Sequence, residues 1–325
     1  MRENKIYFVD VTNRDGVQTS RLGLAKLQKT IINLMLDDMG ITQSEFGFPT
    51  TQHEINYLNG NLELVERGVI SRTRLSGWMR GIASDVELSF KNVPKLKYIN
   101  LSQSTSEQMI NGKYLGKKTP QDIINMTCEA VECAKSLGAV DVGVNAEDAS
   151  RSDIDFLIKY ANEAKKAGAK RFRYCDTLGY EDPQTTYERI YKIAKETEMP
   201  IEMHFHNDLG MAVACSVMGA RAAIDAGVDA YINTAINGMG ERAGNADLVS
   251  CLLAILKSAG FRQRYNIDPN IDLSKAWKLA KYTSYAFGVP IPINQPAVGD
   301  NAFAHESGIH ADGALKDRRN YELYD

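Results

Sequence analysis

The 325-residue sequence lacks an apolar stretch long enough to cross a bilayer, and it lacks any surplus of positive charge. Its 38 lysines and arginines stand against 41 aspartates and glutamates, which gives a formal net charge of -3. A chain without a basic field has no general attraction for nucleic acid or for anionic membranes. The N-terminal residues also lack the apolar segment of a secretory signal. We therefore expect a soluble, cytoplasmic protein with neither nucleic acid nor a membrane as its partner.

Cysteine is scarce, and its spacing shows no pattern. The cysteines are Cys128, Cys133, Cys175, Cys215 and Cys251, an odd number without a CxxC pair. A disulfide framework or a zinc ribbon needs a regular set of cysteines. The sequence therefore predicts buried free thiols.

A short β-rich apolar run followed by a longer amphipathic stretch recurs eight times along the chain. The predicted strands are residues 6–11, 44–48, 75–79, 98–102, 140–144, 171–175, 201–205 and 230–234. The clearest helical patterns are residues 22–39, 121–137, 152–167, 184–196 and 211–226, and four of them are followed by Gly40, Gly138, Gly168 and Gly227. Eight βα units of about 30 residues fill roughly 250 residues, the size of a (β/α)8 TIM barrel.

A doubly wound sheet is the alternative fold, but its first strand would lead into a glycine-rich turn. Residues 12–15 are Thr-Asn-Arg-Asp instead. We expect the barrel to span residues 1–262 and a C-terminal helix with a lid or linker extension to span residues 263–325. Residues 272–287 have a helical pattern, and Pro290, Pro292 and Pro296 then prevent the helix from continuing.

Polar or ionisable side chains follow all eight predicted strands. The loops at the carboxyl ends of barrel strands converge on one mouth, where barrel enzymes carry their chemistry. The residues at these ends include Arg14, Asp15, Glu45, Arg80, Glu147, Thr177, His204, His206 and Asn245. Their coincidence favours an active-site mouth over a set of solvated turns.

The strongest pattern at these ends is His204-x-His206. Residues two apart on a strand point to the same face about 7 Å apart, so two imidazoles can bind one metal ion. Asp15 is the best-placed carboxylate for a third ligand, and Asn245 offers a neutral oxygen. Such a set suits Zn, Mn or Mg and leaves positions open for a chelating substrate. The alternative for Asp15 is a helix N-cap.

Residues 301–316 hold two of the five histidines, His305 and His310, among small residues. The segment is either a solvated tail or a mobile element that carries an acid or a base.

Six motifs together carry a resemblance to a known family. They are DVTNRDGVQ at 10–18, EDASRSD at 147–153, DTLG at 176–179, HFHNDLG at 204–210, NGMGERAGN at 237–245 and HESGIH at 305–310. In this order they resemble the 2-isopropylmalate synthase, homocitrate synthase and Re-type citrate synthase family. Its members are metal-dependent barrel enzymes that condense acetyl-CoA with a 2-oxo acid. The resemblance covers essentially the whole chain.

The resemblance implies a role for each candidate residue. Asp15, His204 and His206 would hold a divalent metal ion, and Asn245 would complete the shell. The implied substrate-binding residues are Arg14, Gln18, Glu45, Arg80 and Thr177, and the implied catalytic residues are Arg14, Glu147, His310 and Tyr321. Arg14 would stabilise the developing oxyanion, while Glu147, His310 and Tyr321 would handle the acetyl methyl proton. The resemblance also implies acetyl-CoA as co-substrate. The segment after about residue 297 follows a proline-rich stretch that cannot continue the helical ring of the barrel, so we expect it to deliver His310 and Tyr321 to the mouth of a second subunit in a homodimer.

Departures from the family pattern bear on the acceptor. Gly143 stands where homocitrate synthases of the lysine pathway tend to carry an arginine. The third strand ends in Arg80, so the sequence shows no apolar pocket of the kind that would accept a hydrophobic oxo acid, as in isopropylmalate synthesis. Residues 10–18, with QSEFGFP at 43–49, are most similar to the Re-type citrate synthase branch. We expect oxaloacetate as acceptor, with its distal carboxylate near Arg80, and citrate as product.

Three alternatives remain open at this stage. The first is 2-isopropylmalate or homocitrate synthase activity, and the second is a carbon-carbon lyase of the hydroxymethylglutaryl-CoA type. Those lyases carry a loop cysteine near strand eight, which residues 237–245 lack. The third is a catalytically silent metal-binding barrel. Related chains continue into further subdomains, so we also expect a natural protein longer than this sequence.

Overall fold

A closed barrel of eight parallel strands forms the centre of the computed structural model, which describes residues 4–262 and 264–324. The strands are β1 (Lys5–Asp10), β2 (Gln43–Gly47), β3 (Arg74–Arg80), β4 (Tyr98–Ser104), β5 (Asp141–Glu147), β6 (Arg171–Asp176), β7 (Ile201–Phe205) and β8 (Ala230–Thr234). They pair in chain order, and β1 pairs with both β8 and β2, which closes the cylinder. The predicted TIM barrel is therefore confirmed.

Helices follow the strands and surround the barrel. They are α1 (Lys26–Met39), α2 (Ile55–Glu66), α3 (Ala83–Asn92), α4 (Glu107–Tyr114), α5 (Pro120–Ser136), α6 (Ile154–Ala167), α7 (Pro183–Thr197), α8 (Ala212–Ala226), α9 (Leu248–Lys257), α10 (Ala276–Phe287) and α11 (Gly308–Lys316). Local chemistry sets their ends: the Asp182 side chain caps α7 by accepting from two backbone N–H groups, and Pro183 follows at the first helical position. Gly40 ends α1 with a φ of 80°.

The repeating strand–helix pattern and the predicted helix at 272–287 account neither for helices α4 and α11 nor for a short ninth strand. Helix α4 precedes α5 in the connection from β4 to β5, and a two-residue strand, β9 (Asn266–Ile267), pairs with Lys5 and Ile6 of β1. Helix α10 packs against α1 and places Leu279 in the main core. The segment beyond residue 262 therefore contributes to sheet and core, and the proposed division at that residue stays a prediction.

The two faces of the strands differ in chemistry. Outward-facing residues such as Ile6, Phe8 and Phe172 are fully buried beneath the helices. The interior instead holds an ionic network in place of the aliphatic layers usual in such barrels. Arg173 lies at its centre and contacts Glu45 at 2.8 Å and Glu202 at 2.6 Å. Charged groups therefore underlie the carboxyl-terminal mouth.

Two further expectations bear on partners and thiols. Within residues 4–262 and 264–324, no helix is both long and apolar enough to cross a membrane. The five cysteines are free, as predicted, with Cys175, Cys215 and Cys251 buried and Cys128 and Cys133 partly buried.

Candidate active site

Three candidate metal ligands meet at the carboxyl-terminal mouth of the barrel. Asp15 lies in the turn after β1, His204 is on β7, and His206 directly follows β7. One ligand atom of each lies within 4.8 Å of those of the other two, and all three side chains are buried. The imidazole rings of His204 and His206 have centroids 5.1 Å apart, and Nε2 of His204 lies 3.4 Å from Oδ2 of Asp15. Asp15 and the two histidines are about 190 positions apart in the chain. They meet because β8 pairs with β1 and so brings the end of β7 close to the end of β1.

The protonation states of this cluster suit a divalent cation. Burial and the neighbouring His204 lower the pKa of His206 to about 4, so its imidazole is neutral. Burial alone raises the pKa of Asp15, but the Arg14 guanidinium and the hydrogen bond with His204 outweigh it and hold the pKa well below its ordinary value. Nδ1 of each histidine is buried without a hydrogen-bond partner in the described part of the chain. A carboxylate and two imidazoles form a donor set that divalent metals accept.

Asn245 adds a fourth potential ligand. Its Nδ2 donates to Oδ1 of Asp15 at 3.0 Å and to the Met239 carbonyl at 2.9 Å. Its Oδ1 is then left buried without a partner among the described residues, which fits a cation ligand. Gly240 makes room for this arrangement, because a Cβ at that position would lie 2.1 Å from the Asn245 Nδ2.

Asp15 makes no capping hydrogen bond from its side chain, although it precedes the 3-10 helix Gly16–Gln18. Asp15 therefore occupies an N-cap position, but its side chain does not act as the cap.

Arg14 is the cation beside the cluster. Its Nη1 donates to Asp15 at 2.8 Å, and its Nε donates to Glu45 at 2.6 Å. Glu45 is fully buried and also accepts from Arg173 and from Asn100 at 2.8 Å each. Burial raises the pKa of Glu45, but the two guanidinium groups outweigh it and lower the pKa to about 2. Glu45 does not face the mouth, so the predicted direct contact of Glu45 with substrate is wrong. Its carboxylate instead fixes the position of Arg14.

A cavity of about 170 Å³ opens above the candidate ligands. It is lined by Arg14, Asp15, Gln18, Trp78, Ser102, Asn145, Glu147, Arg173, Cys175, Thr177, His204, His206 and Glu241. Gln18, Glu147 and Thr177 thus lie where the sequence places them. We call this space the acceptor cavity. A second cavity of about 340 Å³, the side cavity, adjoins it, and the two share Trp78, Ser102 and Glu147.

Arg80 is not brought to the acceptor cavity. It lines the side cavity, its side chain is 69% exposed, and Asp85 in the first turn of α3 holds its guanidinium through two contacts of 2.8 Å. The nearby carboxylate is its partner, which corrects the expectation that Arg80 awaits a substrate carboxylate.

Several residues of the acceptor cavity were missed by sequence reasoning. They are Trp78, Ser102, Asn145, Arg173 and Cys175, which all face inward from strands. The period of two along β6 would have found Arg173 and Cys175, since alternate residues of a strand share one face.

His310 and Tyr321 lie elsewhere in the chain's own structure. Their ring centroids are 4.3 Å apart, and His305 lies within 6.2 Å of both, so the three rings form a C-terminal cluster. None of them lines either cavity. The fold of one chain therefore does not bring this pair to the mouth.

Fold and site together define a (β/α)8-barrel protein with a candidate metal centre at its carboxyl-terminal mouth. The chain belongs to the HMGL-like family, whose sequence model matches residues 5–282. Residues 297–325 match the family described as homocitrate synthase post-HMGL domain-like.

Individual relatives support the same placement. The chain is 61% identical over 320 residues to a Dehalococcoides mccartyi protein described as citrate (Re)-synthase, covering 98% of this chain and 77% of that one. It is 40% identical to 2-isopropylmalate synthase 2 of Caldanaerobacter subterraneus, covering 100% and 79% of the two chains. Among solved structures, the HMG-CoA lyase of Bacillus subtilis superposes with a TM-score of 0.70 at 17% identity, covering 89% of this chain and 96% of that one. This last likeness concerns the fold alone.

Proposed function

We propose that the protein condenses acetyl-CoA with a 2-oxo acid and hydrolyses the resulting thioester, with the help of a divalent metal ion. One observation carries the proposal: Asp15, His204 and His206 place ligand atoms within 4.8 Å of one another beside Arg14. They do so in a family whose members include relatives described as citrate (Re)-synthase and 2-isopropylmalate synthase. The free thiols are in keeping with work in the cytoplasm.

Asp15, His204, His206 and Asn245 are the residues that would hold the ion. A bound divalent ion supplies a Lewis acid that polarises the keto oxygen of the acceptor. The mixed nitrogen and oxygen donor set suits Mn, Mg or Zn.

Arg14 stabilises charge that develops on the acceptor oxygen. Glu45 and Asp15 fix its guanidinium from two directions, so the cation is already oriented when the negative charge appears. Thr177 and Gln18 orient the oxo acid from the cavity wall. Glu147 takes a proton from the acetyl methyl group, and the electron pair of that C–H bond becomes the enolate. The enolate carbon then forms the new bond to the keto carbon, while the electron pair of the C=O π bond passes to the keto oxygen, which takes up a proton. Water cleaves the thioester and releases a carboxylate and the thiol.

Oxaloacetate is the acceptor that we propose. The similarity to the protein described as citrate (Re)-synthase supports this choice. The acceptor cavity is also lined mainly by polar groups, which suit a dicarboxylic oxo acid better than a branched aliphatic one. Because Asp85 holds Arg80, we assign the distal carboxylate to the donors of Gln18, Ser102 and Asn145 on the cavity wall.

Thiol release from acetyl-CoA with a panel of 2-oxo acids tests the acceptor. We expect the highest kcat/KM with oxaloacetate, compared with 2-oxoisovalerate, 2-oxoglutarate and pyruvate. A maximum with 2-oxoisovalerate would replace this assignment by 2-isopropylmalate synthesis, and a maximum with 2-oxoglutarate would replace it by homocitrate synthesis. Metal binding without thiol release from any mixture would support the silent barrel.

We also propose that His310 and Tyr321 act on the mouth of a second copy in a homodimer. Neither residue lines the mouth of its own barrel. The helix that carries His310 exposes large apolar side chains, with Ile309 77% and Leu315 89% accessible. Such a surface is expected to be covered by another chain.

A further inference from the structure

Helix α4 is an addition to the barrel plan, and both of its ends contact the loop that begins at Glu147. At its start, the hydroxyl of Ser106 accepts from the Met109 backbone N–H at 3.2 Å and donates to the Asp148 carboxylate. Asp148 directly follows Glu147. The only side chain that α4 buries fully is Ile110, so these polar contacts define much of its placement.

The last turn of α4 holds Glu147 itself. Nζ of Lys113 donates to both carboxylate oxygens of Glu147, at 2.7 and 2.6 Å. The hydroxyl of Ser104, the cross-strand neighbour of Glu147, donates to Oε2 at 2.6 Å. The backbone of the same residue is fixed as well, since the Thr105 N–H and hydroxyl both donate to the Glu147 carbonyl at 2.9 Å. Both carboxylate oxygens therefore have set directions.

Glu147 stands where the acceptor cavity and the side cavity meet. Lys113 lines only the side cavity, together with the apolar groups of Ile82, Tyr114 and Met126. The side chain of Lys113 is 50% exposed and that of Glu147 is 29% exposed. An ion pair so open to solvent contributes little to the free energy of folding. We therefore expect the Lys113–Glu147 ion pair to act by fixing the orientation of the Glu147 carboxylate.

We propose that Lys113 is a positioning residue for the condensation, acting through Glu147. The inference rests on the proposed function, because it requires Glu147 as the base. In the step concerned, the methyl C–H bond of acetyl-CoA breaks, its proton forms an O–H bond with Glu147, and the electron pair passes into the thioester enolate. Lys113 and Ser104 hold the carboxylate at the junction of the two cavities, where one oxygen faces a thioester in the side cavity and an acceptor lies beyond. Misplacement of a reacting group by about 1 Å costs about a hundredfold in rate.

Kinetics of Lys113→Met with acetyl-CoA and the best acceptor of the panel test this role. We expect kcat to fall about 10- to 100-fold and the KM for acetyl-CoA to stay within about threefold, since orientation is lost rather than binding. The isotope effect on kcat with methyl-deuterated acetyl-CoA should increase, because proton removal becomes slower relative to other steps. Lys113→Arg should restore most of the turnover. Lys117→Met, an exposed lysine in the loop after α4 with no charged partner among the described residues, should match the wild type. Thermal unfolding of each variant confirms that it is folded.

Glu147→Gln, measured in parallel, separates this inference from the proposed function. Loss of turnover in Glu147→Gln together with wild-type kinetics in Lys113→Met would overturn the role of Lys113 and leave Glu147 as the base. Wild-type turnover in Glu147→Gln would overturn both the role of Glu147 as the base and the role of Lys113. A raised KM for acetyl-CoA with unchanged kcat in Lys113→Met would make Lys113 a substrate contact and would also overturn the inference.

Discussion

At the scale of single residues, the site depends on which buried charges have partners. Glu45 has two guanidinium partners, and its pKa falls to about 2. Asp10 is equally buried, but among the described residues it accepts only from the backbone N–H and hydroxyl of Thr12, at 3.0 and 3.1 Å. Burial accordingly raises the pKa of Asp10 from 3.8 to about 7. The contrast shows that burial alone does not determine the protonation state of a carboxyl group.

Asp10→Asn should change how stability depends on pH. Because the native pKa of Asp10 lies above the unfolded one, the native state binds the proton more tightly, and the stability present below about pH 4 is lost as pH rises toward about 7. Asparagine has no such proton, so the free energy of unfolding of the variant, relative to wild type, should rise by about 1–3 kcal/mol between pH 5 and pH 7.5. Urea unfolding of both chelator-treated proteins at several pH values measures this difference. A difference that stays constant over this range would show that Asp10 titrates normally.

At the scale of elements, the regular pattern could be predicted and the exceptions could not. β7 and β8 have the predicted bounds, because a clear turn signal precedes each of them, Pro200 before β7 and Gly227 before β8. Helix α4 was missed because one buried residue, Ile110, leaves no apolar period to detect. β9 has only two residues.

The candidate site was predictable to the same extent. The chain order of strands and loops places Asp15, His204 and His206 at one mouth. Where a long side chain ends depends on competing partners that the sequence does not reveal. Arg80 pairs with Asp85, and Glu45 pairs with Arg14 and Arg173 below the mouth.

The loop after β8 gives a prediction at this scale. Gly244 has a φ of 88°, and a Cβ there would lie 1.9 Å from the Gly238 carbonyl oxygen, so alanine must shift the turn that holds Asn245. We expect Gly244→Ala to weaken Mn²⁺ binding about 10- to 100-fold, as loss of a supporting contact does at metal sites. Calorimetric titration with Mn²⁺ measures the effect. Gly260→Ala is the control, because a Cβ at Gly260 meets no atom within 4 Å. Equal Mn²⁺ affinity in both variants would show that Asn245 and its turn do not contribute to the metal site.

At the scale of the whole molecule, the chain separates its candidate chemistry into two parts. The metal cluster, Arg14 and Glu147 lie at the mouth, whereas His305, His310 and Tyr321 form a cluster of their own beyond α10. Residues 297–325 also match a different family description from that of the barrel. Two copies related by a twofold axis can each supply one part to the other.

A mixture of His204→Ala and His310→Ala chains tests this exchange. If each site takes His310 from the partner, a mixed dimer contains one site with both histidines and one with neither. Random exchange should then restore about a quarter of wild-type activity, although each variant alone is nearly inactive. Size-exclusion chromatography with differently tagged chains verifies that mixed dimers form. Mixed dimers without recovered activity would confine each site to one chain.

Metal-dependent formation of a carbon-carbon bond is the central claim. It is tested most directly by incubating chelator-treated enzyme with [2-¹³C]acetyl-CoA and oxaloacetate, with and without added Mn²⁺, and following the product by NMR. We predict labelled citrate in step with thiol release when Mn²⁺ is present, and neither product without it. Citrate formation at the same rate without a divalent ion, or thiol release that leaves the label in free acetate, would contradict the assignment of Asp15, His204 and His206 as the metal site of a condensing enzyme.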